Sequence, residues 1–288
     1  MITTRQPAPA VTPHPGERRS APGRGGRNLV QAVTVGLLMA AAVGTALATT
    51  PLAFALLTGI ALMLAIVELG RALRRSGLHP ALTPVHLGSQ TTLWLTWHDG
   101  EAGLLRGLAA AVLLCMAWRV TRGPAGYVRD TAAVLLLLGY ICLPACCAVL
   151  LEQQRHGVLL VVGVLACVTA SDTAGYATGA LLGRHRMAPA ISPGKSWEGC
   201  AGSLLAATTA GALTFGLPAH APWPVGALSG LLIALAAIGG DLVESAVKRD
   251  LGIKDMSALL PGHGGLLDRL DSLLPAFVVA WLMLGAPQ

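Results

Sequence analysis

The sequence predicts an all-α fold, a polytopic transmembrane helix bundle of about nine spans with its N-terminus in the cytoplasm. Three observations carry that expectation. Of 288 residues, 54% are hydrophobic and only 12% charged, about half the charged share of a soluble domain, too little polar surface to cover a water-soluble globule. Apolar runs of spanning length recur along the chain. The basic residues fall on one side of those runs.

Residues 1–28 are rich in Pro, Gly, Arg and Thr without apolar periodicity and read as a disordered basic tail. The first apolar run, 29–48, ends in Ala46-Leu47-Ala48, which resembles a signal-peptidase site. It is long enough to span and the next run starts at once, so it is read as a retained helix. Further runs follow at 51–70, 82–98, 103–120, 131–150, 158–182, 199–217, 225–247 and 270–286. The run at 82–98, which carries His86, Gln90 and His98, is the weakest by hydropathy.

Charge placement decides for that run. With nine spans and a cytoplasmic tail, 18 of the 20 Lys and Arg residues fall on the inner side, and only Arg106 and Arg155 do not. Without it, Arg71, Arg74 and Arg75 would lie opposite Arg119, Arg122 and Arg129. The net charge of +6 therefore follows membrane topology, and no nucleic-acid partner is expected. The chain divides into the tail (1–28), N-terminal transmembrane helices (29–150) and C-terminal catalytic helices with cytoplasmic loops (151–288). The six cysteines form neither a CxxC pair nor a zinc pattern and read as small packing residues.

Eight of the fourteen acidic residues lie at or after Asp172, all at inner span ends or in inner loops. A charge at a helix centre in lipid costs at least about 2.5–3.5 kcal/mol, so such residues face a polar cavity or a structural partner. Asp241, Glu244, Ser245 and Lys248 share one helix face at i, i+3, i+4 and i+7. Asp241 lies about 10 Å deeper than Lys248, placed to hold a hard cation through oxygen.

The following loop adds Lys254 and Asp255, then Pro261-Gly262-His263-Gly264-Gly265, whose glycines let backbone N–H groups approach a ligand. Asp268 and Asp271 share a face, with Arg269 between them. Carboxylates interleaved with cations suit a metal–triphosphate.

A second cluster joins Asp172 and Tyr176 to Ser192-Pro193-Gly194-Lys195-Ser196-Trp197-Glu198-Gly199, either a phosphate-binding loop or a polar connector. It is not a Walker A loop, because GxxxxGK[ST] is absent.

These residues resemble the phosphatidate cytidylyltransferases, the CDP-diacylglycerol synthases. The resemblance rests on Ser245-x-x-Lys248-Arg249-x4-Lys254-Asp255-x5-Pro261-Gly262-His263-Gly264-Gly265-x-x-Asp268-Arg269-x-Asp271, the Gly240-Asp241-Leu242-x-Glu244-Ser245 lead-in and the two upstream segments. It is strong over about 170–275 and only topological before that. Ala180 and Ala190 depart from the family pattern by replacing basic residues, and Ser196 replaces a common threonine.

The resemblance implies magnesium-dependent transfer of CMP from CTP to phosphatidate, with release of pyrophosphate. Asp241, Asp268 and Asp271 would hold the metal, and Asp172 a second cation or a lysine. Lys195, Lys248, Arg249, Lys254 and Arg269 would bind phosphates. Ser192 and Ser196 would donate to phosphate oxygens, and His263 would position a ligand. Glu198, Ser245, Asp255, Gly264 and Gly265 complete the expected substrate surface. The expected setting is the plasma membrane, multi-pass, with the site facing the cytoplasm, and a homodimer is left open. Two rivals stand beside this reading: a CTP-dependent lipid or polyprenol kinase, which would release CDP, and a transporter using intramembrane acids as an ion path.

Overall fold

The computed structural model describes residues 25–216, 222–257 and 264–285. The described chain is helical apart from one short hairpin. Helices α1 (Gly25–Thr49), α2 (Pro51–Arg75) and α3 (Leu82–Val120) are followed by α4 (Tyr127–Leu137), a π-helical segment (Leu138–Cys142) and α5 (Leu143–Glu152), which run on as one element. Then come α6 (Gly157–Leu182), strands β1 (Arg186–Ala188) and β2 (Ser192–Ser196), α7 (Trp197–Gly216), α8 (Trp223–Asp250), α9 (Leu267–Leu270) and α10 (Leu273–Leu284). Among the described residues five helical segments are long and apolar enough to cross a membrane: Pro51–Arg75, Leu82–Val120, Tyr127–Glu152, Gly157–Leu182 and Trp223–Asp250.

The weak run at 82–98 resolves at α3, which reverses at Gly100 (φ 62°, ψ −138°), a conformation open to glycine. Its two arms pack antiparallel: a Cβ on Gly88 would meet Ala111, and one on Gly107 would meet Thr92. Helices thus stand at all nine positions of the apolar runs, while the strictly all-α expectation gives way to an antiparallel β1–β2 pair, Arg186 opposite Ser196 and Ala188 opposite Ser192. Pro193 and Gly194 interrupt any helical run there.

The charged connections gather at one end of the bundle. Arg119 Nε meets Asp130 Oδ2 at 3.0 Å in a buried ion pair, and Asp130 Oδ1 accepts the His79 amide at 2.8 Å. Arg129 donates to the Gly77 carbonyl, and Ser76 Oγ to the Leu251 carbonyl at 3.4 Å. The loops after α2, α3 and α8 therefore meet one another. At the other end Arg106 pairs with Asp99 and Gln153 donates to the Trp97 carbonyl.

Small residues bring α6, α7 and α8 together. A Cβ on Gly175 would lie 2.2 Å from Ser203 Oγ, and one on Gly230 would lie 2.1 Å from the Ala207 carbonyl oxygen. Such contact lets dispersion forces act where lipid offers no hydrophobic gain. Gly230→Val is expected to pry α8 from α7 and destabilise the protein by about 1–3 kcal/mol, read as a lower melting temperature in detergent. An unchanged melting temperature would show that the helices separate freely at this crossing.

Candidate active site

The site is built on the α6–hairpin–α7 connection and the facing end of α8. At Ser196 the chain enters α7, and the Ser196 hydroxyl oxygen accepts the Gly199 amide at 3.1 Å, an N-cap that satisfies one otherwise unpaired helix donor. Two residues on, Glu198 folds back onto the hairpin. Its carboxylate accepts the amides of Arg184 (3.1 Å) and His185 (3.2 Å) and contacts His185 Nδ1 at 2.7 Å. The His185 side chain and these amides pull the Glu198 carboxyl down to about 2. Glu198 thus serves the shape of the hairpin directly.

Lys195 leaves β2 toward α8, where its ammonium lies 2.7 Å from Asp241 Oδ2 and 3.3 Å from the Ile238 carbonyl oxygen. Ser245, one turn beyond Asp241, donates to Asp241 Oδ1 at 3.3 Å. Between α6, the hairpin and α8 opens a cleft of about 660 Å³ lined by Asp172, Arg186, Ser192, Lys195, Ser196 and Asp241, among others. Asp172 and Asp241, one from each polar segment of the sequence, therefore line one cavity.

A second centre lies along the same face of α8. Lys248 Nζ bridges Glu244 Oε2 and Asp268 Oδ1, the latter at 2.9 Å. Asp268 also accepts the Met256 amide at 3.1 Å and the Gly265 amide at 2.7 Å. Burial opposes ionisation of Asp268, but the bonds from Lys248 and Gly265 outweigh it and hold its carboxyl below the usual carboxylate range. Asp271 is set against α8, its carbonyl oxygen 2.3 Å from where a Cβ on Gly240 would stand; Oδ1 accepts the Ser272 amide at 2.7 Å. Arg249 reaches from α8 to the Ile191 carbonyl of the hairpin, at 3.4 Å.

Lys254, Asp255 and Arg269 are exposed around this centre. Gly264 takes a positive φ of 83°, and Gly265 is buried against the Asp268 carboxylate. His263, with Pro261 and Gly262, lies outside the described residues.

The sequence is matched by known proteins. A model of the cytidylyltransferase family matches residues 30–286. The phosphatidate cytidylyltransferase of Mycobacterium leprae is 44% identical over 91% of this chain and 89% of its own length. That of Mycobacterium bovis is 41% identical over 97% and 94%, and that of Brucella melitensis 40% identical over 60% and 61%. The chain belongs to the cytidylyltransferase family.

The donor chemistry of the site suits a hard cation. Asp172, Asp241, Asp268 and Asp271 offer only oxygen. Among the described residues, no group of three or more His, Cys, Asp or Glu side chains is assembled to hold a metal ion. Magnesium is ordinarily held by one or two carboxylates together with substrate phosphates and water, so a preformed protein cage is not required. Ammonium groups sit against two of these acids, Lys195 on Asp241 and Lys248 on Asp268. The buried Glu244 Oε1 has no hydrogen-bond partner.

Three residues near the cytidylyltransferase site escaped the sequence reading as site residues. Arg186 lines the cleft from β1 and donates to the Gly194 carbonyl at 3.2 Å. Tyr140, in the π-helical segment, donates to the Gly240 carbonyl at 3.3 Å, next to Asp241. Glu68 of α2 is 4% exposed and binds the loop that carries Asp268. Its signal was present in the sequence as a single acid inside an apolar run.

Proposed function

We propose that this chain is a phosphatidate cytidylyltransferase of the plasma membrane, transferring CMP from CTP to phosphatidate to give CDP-diacylglycerol and pyrophosphate. The single observation carrying the reading is the cleft in which Lys195 and Asp241 from opposite walls meet at 2.7 Å. Cations and hard oxygen donors alternate there, as a metal–triphosphate requires. The similarity to named phosphatidate cytidylyltransferases over nearly the whole chain supports the same substrates.

In the reaction, a non-bridging oxygen of the phosphatidate monoester attacks the α-phosphorus of CTP, and the bond from that phosphorus to the β-phosphate oxygen breaks. The nucleophile is already ionised near neutral pH, so no strong general base is needed. The barrier lies in bringing two anions together and stabilising charge on the leaving pyrophosphate, a task for positioning and electrostatics.

Lys195, Lys248, Arg249, Lys254 and Arg269 bind phosphates, with Ser192 and Ser196 donating to phosphate oxygens and His263 orienting a ligand. Asp241 and Asp268, with Asp271 beside them, would hold magnesium, and Asp172 a second cation; bound there, the metal would neutralise phosphate charge. Ser245 orients Asp241, and Asp255, Gly264 and Gly265 shape the loop at the phosphates. Diacyl chains enter laterally from the inner leaflet.

In this reading all nine helical positions span the bilayer and the charged end faces the cytoplasm, where CTP is available. The three-part division at 28 and 150 follows from the same topology, and a homodimer is compatible with it. The test is pyrophosphate release from purified protein with magnesium, CTP and phosphatidate. Phosphatidate-dependent pyrophosphate supports transfer of CMP; CDP formed on an alcohol acceptor would move the assignment to a lipid kinase.

A further inference from the structure

Glu68 stands far in sequence from the polar block at 241–271, in a helix whose other buried residues are all Phe, Ala, Gly, Leu or Ile. Its side chain is buried yet fully engaged. Oε1 accepts the Leu266 amide at 3.0 Å and the Ser257 hydroxyl, and Oε2 accepts the Leu267 amide at 2.8 Å. A carboxylate in an apolar helix is costly unless its oxygens are satisfied, and here every donor comes from the two ends of one loop.

That loop is held a second time from the other side. Asp268 accepts the amides of Met256 and Gly265 while binding Lys248 of α8. Residues 256 and 257 on one side and 265–267 on the other thus meet between two carboxylates, Glu68 from α2 and Asp268 from α9. Gly265 makes this closure sterically feasible: a Cβ there would lie 3.0 Å from Asp268 Oδ2 and 3.0 and 3.1 Å from the two Glu68 oxygens. Neither carboxylate could keep its amides if the other shifted far.

We propose that Glu68 is a positioning residue for cytidylyl transfer, bracing residues 256–257 and 265–267 so that Asp268 and Lys248 stay registered on α8. Glu68 touches no substrate; it acts through Asp268. This rests on the function proposed above. Glutamine has nearly the same size but presents an NH2 group where one oxygen accepts, so Glu68→Gln sets a donor against a backbone donor. Aspartate keeps both acceptors on a stem one methylene shorter.

The experiment compares wild type, Glu68→Gln, Glu68→Asp, Gly265→Ala and the exposed control Glu101→Gln in one detergent, measuring kcat and KM for CTP and phosphatidate, half-saturating magnesium and melting temperature. Glu68→Gln is expected to lower kcat at least tenfold and to raise half-saturating magnesium, with KM for phosphatidate within twofold. Gly265→Ala should change the same two quantities, Glu68→Asp should recover part of kcat, and Glu101→Gln should match wild type.

A folded Glu68→Gln with wild-type kcat and magnesium dependence overturns the proposal, as does a loss of activity that merely tracks the loss of folded protein. Absence of pyrophosphate release from the wild type would instead overturn the function beneath it. Should Glu68→Gln fail to fold, Glu68→Asp and Gly265→Ala carry the same kinetic comparison, and wild-type kcat and magnesium dependence in both would overturn the proposal.

Discussion

Lys248→Met is expected to remove nearly all pyrophosphate release and to lower the melting temperature in the same preparation. Lys248 Nζ is the shared partner of Glu244 and Asp268, whose side chains are 0% and 7% exposed. Removing the cation takes the ion-pair partner from both, leaving Asp268 only its two backbone amides, and breaking a buried pair in this way costs about 3–5 kcal/mol.

The catalytic and structural parts separate in a double variant. Glu244→Gln/Lys248→Met removes one of the stranded acids and should recover much of the stability, but not the turnover, because the cation proposed to bind phosphate is still missing. Lys248→Arg keeps the charge but replaces a compact ammonium by a planar fork, and should preserve folding better than kcat. Wild-type kcat and KM for CTP in Lys248→Met would exclude Lys248 from the phosphate site.

How far the sequence discloses this site depends on the range of the interactions involved. The face of α8 bearing Asp241, Glu244, Ser245 and Lys248 follows from helical period alone, and its side chains do bond to one another at i, i+4. At the weak run 82–98 charge placement points to a helix, and one forms there; the helix ends bearing Arg75 and Arg119 lie at one end of the fold, where the segments that follow them meet. By contrast, the contact of Lys195 with Asp241 joins residues 46 apart across two helices, and spacing does not encode it.

Glu198 shows a different limit. Its composition suits a substrate site, but its carboxylate reaches back to the amides of residues 184 and 185, a pairing that exists only because the hairpin forms. Glu68 is a lone acid in an apolar run, yet its partners lie about 190 residues onward, and no local pattern links the two. Helices and faces are local and periodic, whereas the site is closed by contacts between turns.

The carboxylates themselves give the last large effect. Asp241→Asn and Asp268→Asn are each expected to abolish measurable CTP-dependent conversion while leaving membrane insertion intact. The exchange keeps size and removes charge. At Asp241 it breaks the ion pair with Lys195 but leaves an oxygen for the Ser245 hydroxyl; at Asp268 it leaves an acceptor for only part of the Met256, Gly265 and Lys248 set. Loss of a single preorganised group at developing charge costs roughly 10²–10³ in kcat, and loss of the proposed metal contact would add to that.

Lys195→Met supplies the comparison. It removes the partner of Asp241 without touching the carboxylate, so it should raise KM for CTP, whereas Asp241→Asn should fall chiefly on kcat. Turnover near wild type at low magnesium in either Asn variant would remove that residue from the metal site. Equal defects in KM alone would reduce Asp241 to a partner that holds Lys195 in place.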